Sequence, residues 1–220
     1  NEEYLETHEG IDKDNVDIIK GNSTVLAGSN KEYLALIDYV KTHDLTVAEN
    51  YKYVTDRVDI DNFIDWLLVQ IFFCNGDTGN KKCYKERVEG AKWRWIMFDL
   101  DMTLRVEALW DRDDYNMLKL MFNPAGHGSN NAFSTALQCN LIKNKDFKQK
   151  FINRYAELLN TTFMPERMLS ILDGMVATID TEMVKHGERW SRPTYSTWKD
   201  EIAGLRRIIE KRRNFAKDQF

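Results

Sequence analysis

From Phe63 to Phe73 the sequence is apolar nearly all round, with Asp65 and Gln70 as the exceptions. A helix that is hydrophobic on every side has no face for solvent and must run through the core. Asp59-Ile60-Asp61-Asn62 reads as its start, because acidic and amide side chains cap a first turn and complement its dipole. Asn75-Gly76 reads as its end, in the left-handed conformation of a C-cap. A loop launched from a buried helix has a fixed direction, and the first charged residue on it is Asp77.

Beyond this loop, residues 82 to 87 and 92 to 98 read as two strands around the turn Val88-Glu89-Gly90-Ala91. An antiparallel hairpin returns the chain to its starting point. Asp77 and Asn80, just before the first strand, then approach Asp99, just after the second. At about 3.3 Å per residue with alternating faces, Asp99 and Asp101 point the same way if the strand continues. Such oxygen donors suit Mg²⁺, which keeps waters and substrate phosphates in its shell and needs only one or two carboxylates. A loop Asp that orients a hydroxyl, a loop Asn and a strand-end Asp for metal are the parts of a protein-kinase catalytic site. Asn-Gly-Asp and Gly-Asn are also turn-prone by themselves, so a hairpin with ordinary turn acids is the bland alternative.

Asn75-Gly76-Asp77 with Asn80, the Tyr84-bearing strand, and Trp93-Arg94-Trp95-Ile96-Met97-Phe98-Asp99-Leu100-Asp101 closely resemble the spore-coat CotH kinase family, a divergent branch of the protein-kinase-like fold. Glu9 to Gly21 resembles the segment that follows the small-lobe strands in bacterial members, and the helical tail is similar too, so the likeness covers nearly the whole chain. The resemblance implies a Mg²⁺-dependent phosphotransferase using ATP. It implies Asp77 as the catalytic-loop aspartate, Asp99 as the metal-binding aspartate that meets the nucleotide, and Asn80 as the loop asparagine, with Asp101 assisting the metal. Many members carry Trp after the loop Asp and two consecutive Asn residues; here Thr78 and Asn80-Lys81 stand in a slightly shorter loop. The resemblance also places a small lobe before Tyr4, which makes residues 1–30 a remnant of the small-lobe or linker region and 31–220 the helical large lobe. Lys20 is the one nearby candidate for a phosphate-facing lysine, against the plainer reading of a solvent-facing strand-end lysine. Members are often exported or surface-attached.

The expected fold class is α+β, mainly α: a kinase-like large lobe with a central β-hairpin and a C-terminal helical bundle. With 220 residues and 43% hydrophobic content the chain can bury one substantial core. A net charge of −4, with acids and bases interspersed, offers no broad basic surface, so no nucleic-acid partner is expected. Cys74, Cys83 and Cys139 lack metal-site spacing and read as buried thiols. No run of about 18 apolar residues exists to span a membrane. The expected partners are ATP and an unidentified phosphoacceptor, a protein hydroxyl or a small molecule.

Val16 to Ile19 reads as a short strand between turn clusters, and Lys31 to Thr42 as a packing helix capped by Asn30. Residues 44 to 58 read as a polar connection anchored by Tyr51 and Tyr53. The acids of Trp110 to Tyr115 either extend the metal site or, as preferred, cap a helix starting near Asn116. The loop Asn123 to Asn130 is a candidate lip, with His127 either a phosphate contact or, as preferred, a surface histidine. Helices follow to the end, with Phe147, Phe151, Tyr155, Leu158 and Leu159 on one face, Pro165 opening the next helix, and Leu169, Leu172, Met175, Val176, Ile179 and Met183 continuing the core. Arg206-Arg207 and Lys211-Arg212-Arg213 form an anionic binding patch or, as preferred, a solvated helix face.

Two other functions fit parts of the sequence. Phe98-Asp99-Leu100-Asp101-Met102-Thr103-Leu104 also matches the first motif of haloacid-dehalogenase-type phosphatases, with Asp99 as nucleophile and Asp101 as acid/base. That fold requires further parallel strands, whereas everything after Leu104 reads as helix. The third possibility is a kinase-like scaffold without catalysis, against which the retention of Asp77, Asn80, Asp99 and Asp101 argues.

Overall fold

The computed structural model describes residues 2–104, 116–126 and 131–219. It confirms an α+β, mainly helical chain that divides into two compact units. The first holds residues 1–71, 75–102 and 117–154, the second 72–74, 103–116 and 155–220.

The first unit opens with α1 (Glu2–Glu9), β1 (Val16–Lys20), β2 (Thr24–Ala27), α2 (Lys31–Thr42), α3 (Ala48–Thr55) and α4 (Ile60–Phe72). The expected hairpin follows as β3 (Lys82–Glu86) and β4 (Arg94–Ile96). It is not isolated: the four strands form one antiparallel sheet in the order β2-β1-β3-β4, with Lys20 opposite Lys82, Ile18 opposite Tyr84 and Lys82 opposite Ile96. Residues 16–27 therefore belong to the same sheet as the hairpin. β2 escapes sequence reading because it is a short edge strand with an exposed face and no apolar alternation. One sheet face carries Ile18, Tyr84 and Ile96 against Leu5 and Ile11. The other meets the helices, where Tyr33 of α2 packs edge-on to Trp93 and Phe63 of α4 packs on Trp95.

The free edge of β4 is closed by α4. Asn62 donates to the Trp95 carbonyl (3.1 Å) and accepts from the Trp95 amide (2.6 Å), so one side chain replaces a neighbouring strand. Backbone bonds from Trp93 to the Arg57 carbonyl (2.8 Å) and from Asp59 to the Trp93 carbonyl (3.0 Å) continue the seal. Asp59 also caps α4, accepting from the Asn62 amide as expected. At the opposite end, buried Asp17 accepts from the Ser29 amide at 2.8 Å. Gly28, at φ 66°, is required there, because a Cβ would lie 2.0 Å from the Asp17 carboxylate.

Two local expectations fail. Asn30 does not cap α2; its side chain donates to the Ser23 carbonyl and closes the preceding turn instead. Residues 48–55 are helical rather than a polar connection. α3 buries only Val54 and so shows no apolar stripe, although the expected anchor Tyr53 does stack on Tyr39 at 3.8 Å. The expected helix carrying Phe147, Phe151, Tyr155, Leu158 and Leu159 is α7 (Lys145–Asn160), after the short α5 (Met117–Met121) and α6 (Ala136–Leu141). Buried Asn144 caps α7 through the amides of Asp146 and Phe147. Residues 110–115 and His127 lie outside the described residues.

The second unit contains the end of α7, α8 (Pro165–Trp190) and α9 (Tyr195–Asp218). The predicted α7 face is buried throughout, and Pro165 does open α8. α8 departs from expectation: Leu172 is buried, but Met175 is 65% and Ile179 44% exposed, because only one side of its apolar band is covered. The basic run departs further. Arg212 is fully buried and donates to the Phe72 carbonyl (2.7 Å), while Arg213 donates to the Leu159 carbonyl (2.6 Å) and Arg206 pairs with Asp173. Arg206, Arg212 and Arg213 thus tie α9 to earlier segments, while Arg207 and Lys211 are exposed as expected of a solvated face.

Candidate functional site

The loop that leaves α4 is held by polar side chains in the core. Cys74, not Asn75 or Gly76, takes the left-handed conformation (φ 52°), and the Asn75 amide reaches the Gln70 carbonyl at 3.0 Å, a Schellman-type termination. Buried Asn75 donates to the Gln70 side-chain oxygen (2.7 Å) and accepts from the Asp77 amide (3.0 Å). The Asn80 amide then bonds the Asp77 carbonyl at 3.1 Å. Asp77 is thus presented on a closed turn whose floor is a buried amide pair. The role of Gln70 and Asn75 was missed in the sequence, yet a signal was there: a lone glutamine on an all-apolar helix needs a buried partner.

Across the hairpin, the Asn80 side-chain amide donates to the Asp99 carboxylate. The loop and the strand end are therefore brought together, as the hairpin argument requires. The alternation argument does not carry through. β4 ends at Ile96 and Asp99 has a left-handed backbone (φ 55°), so Asp99 and Asp101 are not successive same-side residues of a strand. Asp101 is exposed in the following turn. Among the described residues the Asp77 carboxylate has no hydrogen-bond partner, which leaves it available to a ligand.

Next to Asn80, Lys81 is buried, and its ammonium donates to the Ser134 carbonyl at 2.9 Å. Burial pulls its pKa down to about 8, opposed in part by Cys83. Burial pushes the Cys83 thiol up to about 12, offset in part by Lys81 and a hydrogen bond with Tyr33. The three cysteines are buried thiols, as expected. The backbone of Lys81 also accepts from the Gly21 amide at 2.8 Å, which fixes the β1–β2 turn against the loop.

Among the described residues no three His, Cys, Asp or Glu side chains converge as a metal group. The groups that do meet are the Asp99 carboxylate, a hard oxygen ligand, and the side-chain NH₂ of Asn80 that donates to it. A single carboxylate of this kind suits a hard cation that fills most of its shell with water and phosphate. No described helix is long and apolar enough to cross a membrane.

No curated protein matches the chain. The model of the family described as CotH kinase protein matches residues 2–216, so the loop of Asp77 and Asn80, the hairpin and Asp99 all lie within it. On a match of that extent, the chain belongs to the CotH kinase family, a family of kinase-like phosphotransferases.

Proposed function

We propose that this chain carries the phosphoryl-transfer site of a kinase that uses ATP with Mg²⁺ and transfers to a hydroxyl of a protein or small molecule. The observation that carries the reading is the contact between Asn80 and Asp99 across the hairpin, beside an unpartnered Asp77 carboxylate.

Each residue has a distinct task in this reading. Asp99, held by the side-chain NH₂ of Asn80, would supply the carboxylate ligand to the metal, with Asn80 and Asp101 assisting. The bound ion would neutralise charge on the phosphates and hold them in position. Asp77 orients the acceptor hydroxyl and accepts its proton as the new O–P bond forms and the bond from phosphorus to the ADP oxygen breaks. Most of the rate enhancement comes from positioning, which is why the closed turn at Asn75 to Asn80 matters.

The phosphatase alternative needs a parallel sheet behind its nucleophile. The four strands here pair antiparallel, and Asp99 follows an edge strand rather than a central one. Calorimetric titration with ATP and Mg²⁺, beside Asp99→Ala, tests the kinase reading. Binding that vanishes in the variant supports it; a chain that binds no nucleotide favours a scaffold.

A further inference from the structure

Lys20 and Lys82 stand directly opposite each other on β1 and β3. Like charges facing across a ladder are destabilising, and neither lysine has a carboxylate partner among the described residues. Both ammoniums lie over one ring: Lys82 at 3.5 Å and Lys20 at 5.9 Å from the centroid of Phe98. That ring belongs to the residue before Asp99. Lys82, likewise, is two residues after Asn80.

The backbone fixes this placement. Directly paired residues share a face, so Lys20, Lys82 and Ile96 lie on the same side as Ile18 and Tyr84. At the Ile18 and Tyr84 end that face is covered by Leu5 and Glu9 of α1 and by Ile11 just after it. Gly21, at φ 61°, turns the chain immediately after Lys20 and brings it close enough that a Cβ there would sit 3.8 Å from the Gly79 carbonyl. The lysine end of the sheet is thereby tied to the loop carrying Asp77 and Asn80. Phe98 supplies a π face against which the Lys82 ammonium rests.

We propose that Lys20 and Lys82 form the cationic floor that receives the phosphate chain of the nucleotide, beside the Asn80 and Asp99 pair. An anionic chain lying between the two ammoniums turns their mutual repulsion into shared attraction. The proposal deepens the kinase reading and rests on it for the identity of the phosphate carrier.

The test is calorimetric titration of the full chain with inorganic tripolyphosphate without metal, and with ATP plus Mg²⁺. The variants are Lys20→Met, Lys82→Met, Lys82→Arg and Asp99→Ala, each checked for an unchanged cooperative melt. The expected result is a loss of at least about tenfold in affinity for both ligands in each Met variant. Lys82→Arg should stay within about threefold, and Asp99→Ala should lose the Mg²⁺-dependent binding while keeping tripolyphosphate. Met variants that bind Mg²⁺-ATP within twofold of the parent overturn the assignment, while the kinase reading survives through Asp99. If the parent binds tripolyphosphate through the lysines but no ATP, the kinase reading fails and with it the nucleotide assignment. A parent that binds neither ligand overturns the proposal as well.

Discussion

The side-chain amide of Asn80 donates to the carboxylate of Asp99, 19 residues further along the chain. Nothing local to either residue makes this contact; the hairpin does. β3 carries the chain away from Asn80 and β4 returns it, with Lys82 opposite Ile96 at the open end. Asp99 then takes a left-handed backbone, unfavourable for a residue with a Cβ.

Removing the carboxylate should therefore act differently from removing its partner. Asp99→Ala is expected to abolish Mg²⁺-dependent ATP binding, and Asn80→Ala to weaken it about tenfold through loss of the restraint on Asp99. Asp77→Asn should leave nucleotide affinity within about twofold but lower turnover by on the order of 10²- to 10⁴-fold. Calorimetry with a phosphate-transfer assay separates the three. Equal loss of binding in all of them would contradict the division of roles.

Asn62 is the mortise between α4 and the sheet. Asn62→Ala leaves the amide and carbonyl of Trp95 without partners in a partly buried position, at a cost of about 3 kcal/mol. Asn62→Asp keeps the acceptor for the Trp95 amide but sets a carboxylate against the Trp95 carbonyl, so it should rescue little. Urea unfolding of both variants measures this. A change below about 1 kcal/mol in Asn62→Ala would show that water replaces both bonds.

Arg212 is the member of the basic run that departs furthest from a solvated face. A helical cluster of cations reads as a solvent face because hydration is the cheapest state for a charge, yet Arg212 is fully buried with its Nε on the Phe72 carbonyl. Arg212→Met should cost about 3 kcal/mol, from the orphaned carbonyl and imperfect refilling of the space. Arg213→Ala, at a partly exposed position, should cost about 1 kcal/mol. Thermal or urea melts rank the two, and equal costs would place both at the surface.

The parts legible in the sequence are those governed by one period or one turn. The all-apolar run predicts α4, the turn at Gly90 predicts the hairpin, and together they predict that Asn80 meets Asp99. What stayed hidden depends on partners far away in the chain. β2 forms because β1 offers it an edge; α3 has too little apolar stripe to announce itself; Asn62, Gln70 and Lys81 are polar residues whose partners are Trp95, Asn75 and Ser134. The αL residue at the end of α4 fell on Cys74 although Gly76 was available, a choice made by the buried Asn75 and Gln70 pair and not by backbone preference.

Lys81 gives a pH signature. Its folded pKa, about 8, lies below the ordinary lysine value, so the folded chain gives up a proton that the unfolded chain keeps. Between about pH 8 and pH 10.5 the unfolded state binds more protons at this site, and stability from it rises with pH. The penalty for burying the ammonium is thus fully present below pH 8 and is relieved above it, by up to about 1.4 kcal/mol per pH unit. Cys83 acts in the opposite sense: its thiol is held neutral up to about 12 in the folded chain, so ionisation of the unfolded thiol removes stability above about pH 9. Comparing parent with Lys81→Met at each pH cancels the thiol contribution, since both chains retain Cys83 and Tyr33. The parent should gain on the variant by about 1 kcal/mol or more from pH 7.5 to 9.5 in urea unfolding. A constant difference across that range would mean that Lys81 keeps its proton, and that the Ser134 carbonyl stabilises the ammonium enough to offset its burial.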